Sequence, residues 1–73
     1  MQKWKYMFIT CHTTEDGQWK PRYINGKEVP NWFAGEPIYQ TSNDLGDKGW
    51  ELVGYTFSTI NHDVMRLVFK RPE

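Results

Sequence analysis

Two runs late in the chain, residues 50–59 and 63–71, carry apolar side chains on both of the faces that a strand presents. Side chains alternate along a strand, so Met65, Leu67 and Phe69 point one way and Val64, Arg66, Val68 and Lys70 the other. In the preceding run Trp50 and Leu52 oppose Val53, Tyr55 and Phe57. The connection Ile60-Asn61-His62 is short enough for a hairpin, and the two strands are expected to pair antiparallel. A sheet apolar on both faces needs two covers, and one short helix supplies only one.

The rest of the chain must provide those covers within 73 residues. That length, with no Pro/Gly/Ser tract or charge block to act as a linker, implies a single domain over 1–73. Such a chain buries only about 60% of the surface its unfolded form exposes, which implies a stability of about 4–11 kcal/mol. Aromatic residues, 16% of the sequence, must supply much of the core because Leu is scarce.

Residues 3–11 are rich in aromatic and β-branched side chains and form the first strand, with Trp4, Tyr6 and Phe8 on one face and Met7, Ile9 and Cys11 on the other. A polar turn follows over 13–17. Asn25-Gly26 lies between Arg22-Tyr23-Ile24 and Lys27-Glu28-Val29, a strong signal for a hairpin whose turn needs positive φ at both central residues. Pro21 and Pro30 restrict that hairpin to a short one at an edge or over the sheet, since neither donates a ladder hydrogen bond. Glu36-Pro37 opens a helix with Pro37 in its first position and Ile38, Tyr39, Thr41, Ser42 and Leu45 facing inward, and Gly49 ends it. The expected class is α+β: a small antiparallel sheet in the order strand, short hairpin, helix, strand, strand, with one short helix on one face.

Two covers for the second face stand open. The aromatic segment 19–33 folds across it, or a second copy of the chain packs sheet to sheet as a homodimer, through Val53, Tyr55, Phe57, Val64 and Val68.

The run Asn43-Asp44-Leu45-Gly46-Asp47-Lys48-Gly49-Trp50-Glu51-Leu52-Val53, with Phe69-Lys70-Arg71-Pro72 and the opening Lys3-Trp4-Lys5-Tyr6, resembles the small bacterial proteins grouped as domain of unknown function 4177. The resemblance covers both ends and the helix-to-strand junction, and residues 12–36 look like a hairpin-containing insertion. Ser42 departs from the family, which more often has leucine there. The resemblance implies a small antiparallel sheet carrying one helix, and no activity. The junction also reads on its own: Gly46 allows close approach, Gly49 reverses the chain and Trp50 begins the strand as a core anchor.

No catalytic or metal-binding constellation stands out. Cys11 and His12 are adjacent, but strand neighbours point to opposite faces and do not share a proton. Cys11, His12 and His62 lack the paired spacing of a structural zinc site. Asp44, Asp47 and Glu51 read as a solvated face, with Glu51 bridging to a Lys or Arg across the sheet. No phosphate-binding glycine pattern occurs. No cofactor is therefore expected, and the chain does not read as an enzyme. With nine basic and nine acidic residues it carries no net charge to steer it onto nucleic acid or a membrane. The single cysteine and the absence of a long apolar run fit a cytoplasmic protein.

The expected function is that of a small non-catalytic accessory or protein-interaction domain that self-associates through its second sheet face or docks on an unidentified protein. The alternative is a single-stranded nucleic-acid or peptide binding module on the hairpin segment 19–27. There Trp19, Lys20, Arg22, Tyr23 and Lys27, with Trp32 nearby, interleave rings and cations. The two readings differ in whether those rings are exposed.

Overall fold

A computed structural model describes residues 1–58 and 63–73. The connection Ile60-Asn61-His62 and residue His62 lie outside the described residues. The chain forms β1 (Trp4–Thr13), β2 (Trp19–Ile24), β3 (Lys27–Glu28), a 3-10 turn (Trp32–Ala34), α1 (Ile38–Asp47), β4 (Glu51–Ser58) and β5 (Val64–Pro72). All strands join one antiparallel sheet in the order β3-β2-β1-β5-β4, and α1 packs on it. The fold is α+β.

The first and last strands make the central ladder, running from Trp4 opposite Pro72 to His12 opposite Val64. On its covered side Ile9, Cys11, Leu67 and Phe69 meet Ile38 of α1 and form the buried core. Met7, Trp19, Ile24, Leu45, Trp50 and Met65 pack around them.

Local chemistry explains the turns. Asn25 and Gly26 both have positive φ, 51° and 82°, as the two-residue turn between β2 and β3 demands. Asn25 also binds β1: its N–H donates to the Phe8 carbonyl at 2.8 Å, and the Phe8 N–H donates to its Oδ1 at 3.0 Å. At the far end of α1 the Trp50 N–H donates to the Leu45 carbonyl at 2.9 Å, and the Gly49 N–H to Gly46 at 3.0 Å. Gly49, at φ 89°, supplies the left-handed residue this helix ending requires, and Trp50 lands against the core beside Leu45. The Arg71 guanidinium covers the Trp50 ring at 4.6 Å and donates to the Lys48 carbonyl at 3.3 Å.

Several expectations need correction. Pro37 precedes α1 in extended conformation, and its carbonyl accepts from Gln40 and Thr41, so the helix begins at Ile38. Tyr39 is exposed, while Thr41, Ser42 and Leu45 are half-buried. Gly46 serves no close approach, for nothing lies within 4 Å of a Cβ added there.

The β2–β3 hairpin is short and lies at an edge of the sheet, as expected, but β2 itself runs on to pair with β1 over most of its length. It accommodates Pro21 because the register shifts between Thr10 and Cys11, leaving Arg22 as an extra residue, and because β3 pairs only with Tyr23 and Ile24. A second shift, between Leu52 and Gly54, makes Val53 the extra residue of β4. Beyond it Tyr55 stands opposite Leu67 and Phe57 opposite Met65, both on the helix side together with Leu52. Strict alternation had assigned Leu52 and Tyr55 to opposite faces. One bulge residue flips that parity.

Candidate functional site

That bulge dissolves the expected self-association face. Val64 and Val68 lie on the face away from α1, whereas Tyr55 and Phe57 share the helix side, and Val53 sits in the bulge. The five residues therefore do not form one surface. Phe57 instead meets Trp19 edge to face, with ring centroids 5.0 Å apart.

The aromatic and basic residues of the hairpin segment are also divided. Trp19, paired with Thr13, lies on the helix side, as does Lys27, paired with Ile24. Lys20 and Tyr23, paired with His12 and Thr10, lie on the opposite face. The 3-10 turn brings Trp32 there too: its ring centroid is 6.2 Å from that of His12, and His12 is 6.1 Å from Tyr23. Arg22 lies 5.4 Å from the Tyr23 ring and 5.2 Å from the Trp32 ring, and its Nε donates to Glu28 at 2.9 Å. Glu28 thus raises the guanidinium's affinity for its proton. Lys20 Nζ donates to the Phe33 carbonyl at 2.8 Å. Trp19, Tyr23 and Trp32 are each half-buried. These contacts occupy Trp19, Lys20, Arg22, Tyr23 and Trp32 within the fold, and Trp19 and Lys27 lie on the face opposite Lys20 and Tyr23, so the six residues present no common platform.

Segment 19–33 covers part of the second face and leaves the rest open. Trp32 closes the end near His12 and Tyr23. Along β1, Trp4, Tyr6 and Phe8 remain 39%, 52% and 58% exposed on the same face as Val68. Beside them lies a groove of about 470 Å³ bounded by Phe8, Thr10, Thr56, Arg66 and Val68, over Gly54. A Cβ added to Gly54 would touch nothing. The Lys70 ammonium rests over the Trp4 ring at 4.3 Å. The sequence predicts that Glu51 bridges to a Lys or Arg across the sheet; its strand partner is Lys70, whose ammonium is turned toward the Trp4 ring.

The alternation of β1 already separated Trp4, Tyr6 and Phe8 from Met7, Ile9 and Cys11, but both sets are apolar, and alternation alone does not say which the helix takes. Residue type carried a signal: Ile and Cys are among the types most often fully buried, whereas large aromatic residues more often keep an exposed edge.

Cys11 and His12 point to opposite faces, Cys11 into the core and His12 toward Trp32. Burial pushes the Cys11 thiol up to about 12, far from the range in which it is a nucleophile. At the β1–β2 turn the Thr14 hydroxyl donates to Asp16 and lowers that carboxyl's pKa. Among the described residues no three His, Cys, Asp or Glu side chains gather to hold a metal, and no helix is long and apolar enough to cross a membrane. Compared with family models, curated proteins and solved structures, the chain matches none.

Proposed function

We propose that this chain is a small non-catalytic interaction domain of the cytoplasm that self-associates through the uncovered part of its second sheet face. The observation that supports this reading is the exposed row Trp4, Tyr6 and Phe8 on the central strand β1. A contiguous apolar patch of this kind is seldom left bare. A second copy suits it because the patch offers both a projecting ring, Phe8, and the groove over Gly54 beside it. A two-fold axis through the face directs each Phe8 toward the other copy's groove. Zero net charge opposes no such approach. A stable interface takes about 800 Å² per partner, a modest share of the 5349 Å² the chain exposes.

Phe8→Glu tests the reading by light scattering over a concentration series. The wild type is expected at twice the chain mass and the variant at the chain mass, with unchanged circular dichroism. A wild type that stays at the chain mass at the highest concentration overturns it.

A second reading, a platform for single-stranded nucleic acid, draws on Arg66 and Lys70, which flank Val68 on the same face as the rings. Bases stack on exposed rings while cations hold phosphates. Salt-sensitive quenching of aromatic fluorescence by an oligonucleotide, lost in Tyr6→Ala, would favour it over self-association.

A further inference from the structure

The two edges of the sheet are built on different plans. β3 consists of Lys27 and Glu28 alone, both charged and exposed, and Pro30 follows shortly after. A short, charged strand next to proline is how natural sheets prevent unwanted pairing. β4, at the other edge, runs over eight residues, with Glu51, at its start, as its one acidic residue. It contains no Lys, Arg or Pro, and among the described residues it pairs with β5 alone. Leu52, Val53, Tyr55 and Phe57 are all exposed. A long, largely apolar edge with an acidic residue only at its start offers unpaired backbone groups to another strand.

We propose that β4 pairs antiparallel with β4 of a second copy across a two-fold axis at Thr56. Face matching, the bulge and the length of the described strand favour this register, since an axis at Phe57 leaves only Thr56 opposite Ser58 and Phe57 opposite itself. Beyond the bulge at Val53, Tyr55 and Phe57 lie on the helix side, and Gly54, Thr56 and Ser58 on the other. An axis midway between Gly54 and Tyr55 sets residues of opposite faces against each other and is excluded. An axis at Tyr55 drives the bulge residue Val53 into the ladder opposite Phe57. An axis at Thr56 sets Tyr55 of each copy opposite Phe57 of the other, Gly54 opposite Ser58, and Thr56 opposite itself. Aromatic and Thr–Thr pairs directly opposite one another are stabilising cross-strand pairs. Glu51 falls outside this ladder, so no like charges meet. The strand is therefore complementary to itself, which singles out a second copy as its occupant. The contact lengthens the sheet edge to edge, whereas the face contact proposed above stacks one sheet on another, and neither requires the other.

Thr56→Cys in the full chain provides the test. Directly opposed strand residues place their Cβ atoms about 4.5–5.5 Å apart, close enough for a disulfide after slight adjustment. The native Cys11 is 0% exposed and does not compete. Mild oxidation is expected to convert most of the Thr56→Cys protein to a covalent dimer on a non-reducing gel, at least tenfold more than Ser58→Cys, whose counterpart in this register is Gly54. No dimer from Thr56→Cys, or equal dimer from both variants, overturns the inference. Repeating the oxidation with Phe8→Glu added separates the two contacts. Cross-linking that persists supports the edge whatever becomes of the face. A mass lowered by Phe8→Glu without any Thr56→Cys cross-link leaves the face contact standing and rejects the edge.

Discussion

Ile9 and Phe8 are neighbours on β1 and both strongly apolar, yet Ile9 is 1% exposed and Phe8 58%. The difference comes from one structural decision, the side of the sheet on which α1 packs. Ile38 is the helix's only fully buried residue, and it lies against Ile9, Cys11, Leu67 and Phe69. Among the described residues the opposite face receives Trp32, brought round by the 3-10 turn, and that ring leaves Tyr6 and Phe8 exposed. Hydrophobicity alone does not make a core residue. The same strand feeds a closed interior on one side and an unfinished surface on the other.

Measurements on each side can break this contrast. Ile9→Ala is expected to cost about 2–5 kcal/mol of folding stability, and Phe8→Ala about 1 kcal/mol or less. Urea unfolding in solutions dilute enough to prevent association compares the two directly. Equal losses would mean that the faces do not differ as described.

The next effect belongs to the covered face alone. The folded Cys11 thiol ionises near 12 and its unfolded counterpart near 9.0, so between those values the unfolded chain binds fewer protons than the folded one. Stability is then full below pH 9 and falls as pH rises toward 12, by about 1.4 kcal/mol per pH unit. Cys11→Ala should flatten this alkaline slope, although it lowers stability at neutral pH. An identical slope in both proteins would show that the thiol is not sealed by the core.

The smallest effect sharpens the open side. Gly54 has room for a Cβ and no left-handed φ, so Gly54→Ala should stabilise the monomer by about 0.5 kcal/mol through the unfolded chain. Loss of stability would mean that the groove above Gly54 is narrower than its geometry implies.

The legible parts of the fold were those decided by short-range chemistry. The Asn25-Gly26 turn, the helix ending at Gly49 and the alternation of β1 each depend on a few adjacent residues. The opaque parts were those decided by ladder register. An extra residue at Val53 reverses the faces of half of β4, and another at Arg22 lets Pro21 sit within β2. Neither bulge has a marker in the sequence comparable to Asn-Gly. The same two positions scattered the expected binding residues. Tyr55 parted from Val68, and Trp19 from Tyr23, because each pair lies on either side of a register shift or alternates within its strand. The row Trp4, Tyr6 and Phe8 was visible as a row, but its exposure depended on a helix that begins at Ile38, far along the chain.

The central ladder also fixes when this protein can fold. Among the described strands β1 is made before the others and β5 after them, yet they are partners in the middle of the sheet, and Ile9 closes the core directly against Leu67. Until β5 emerges, β1 and β4 each lack the neighbour they share, and the rings of one and the bare edge of the other are open to other chains. Non-local pairing of this kind slows folding and lengthens exposure to aggregation. Synthesis thus carries the apolar strands through a period in which their rings and unpaired edge are open indiscriminately, and the arrival of β5 ends it.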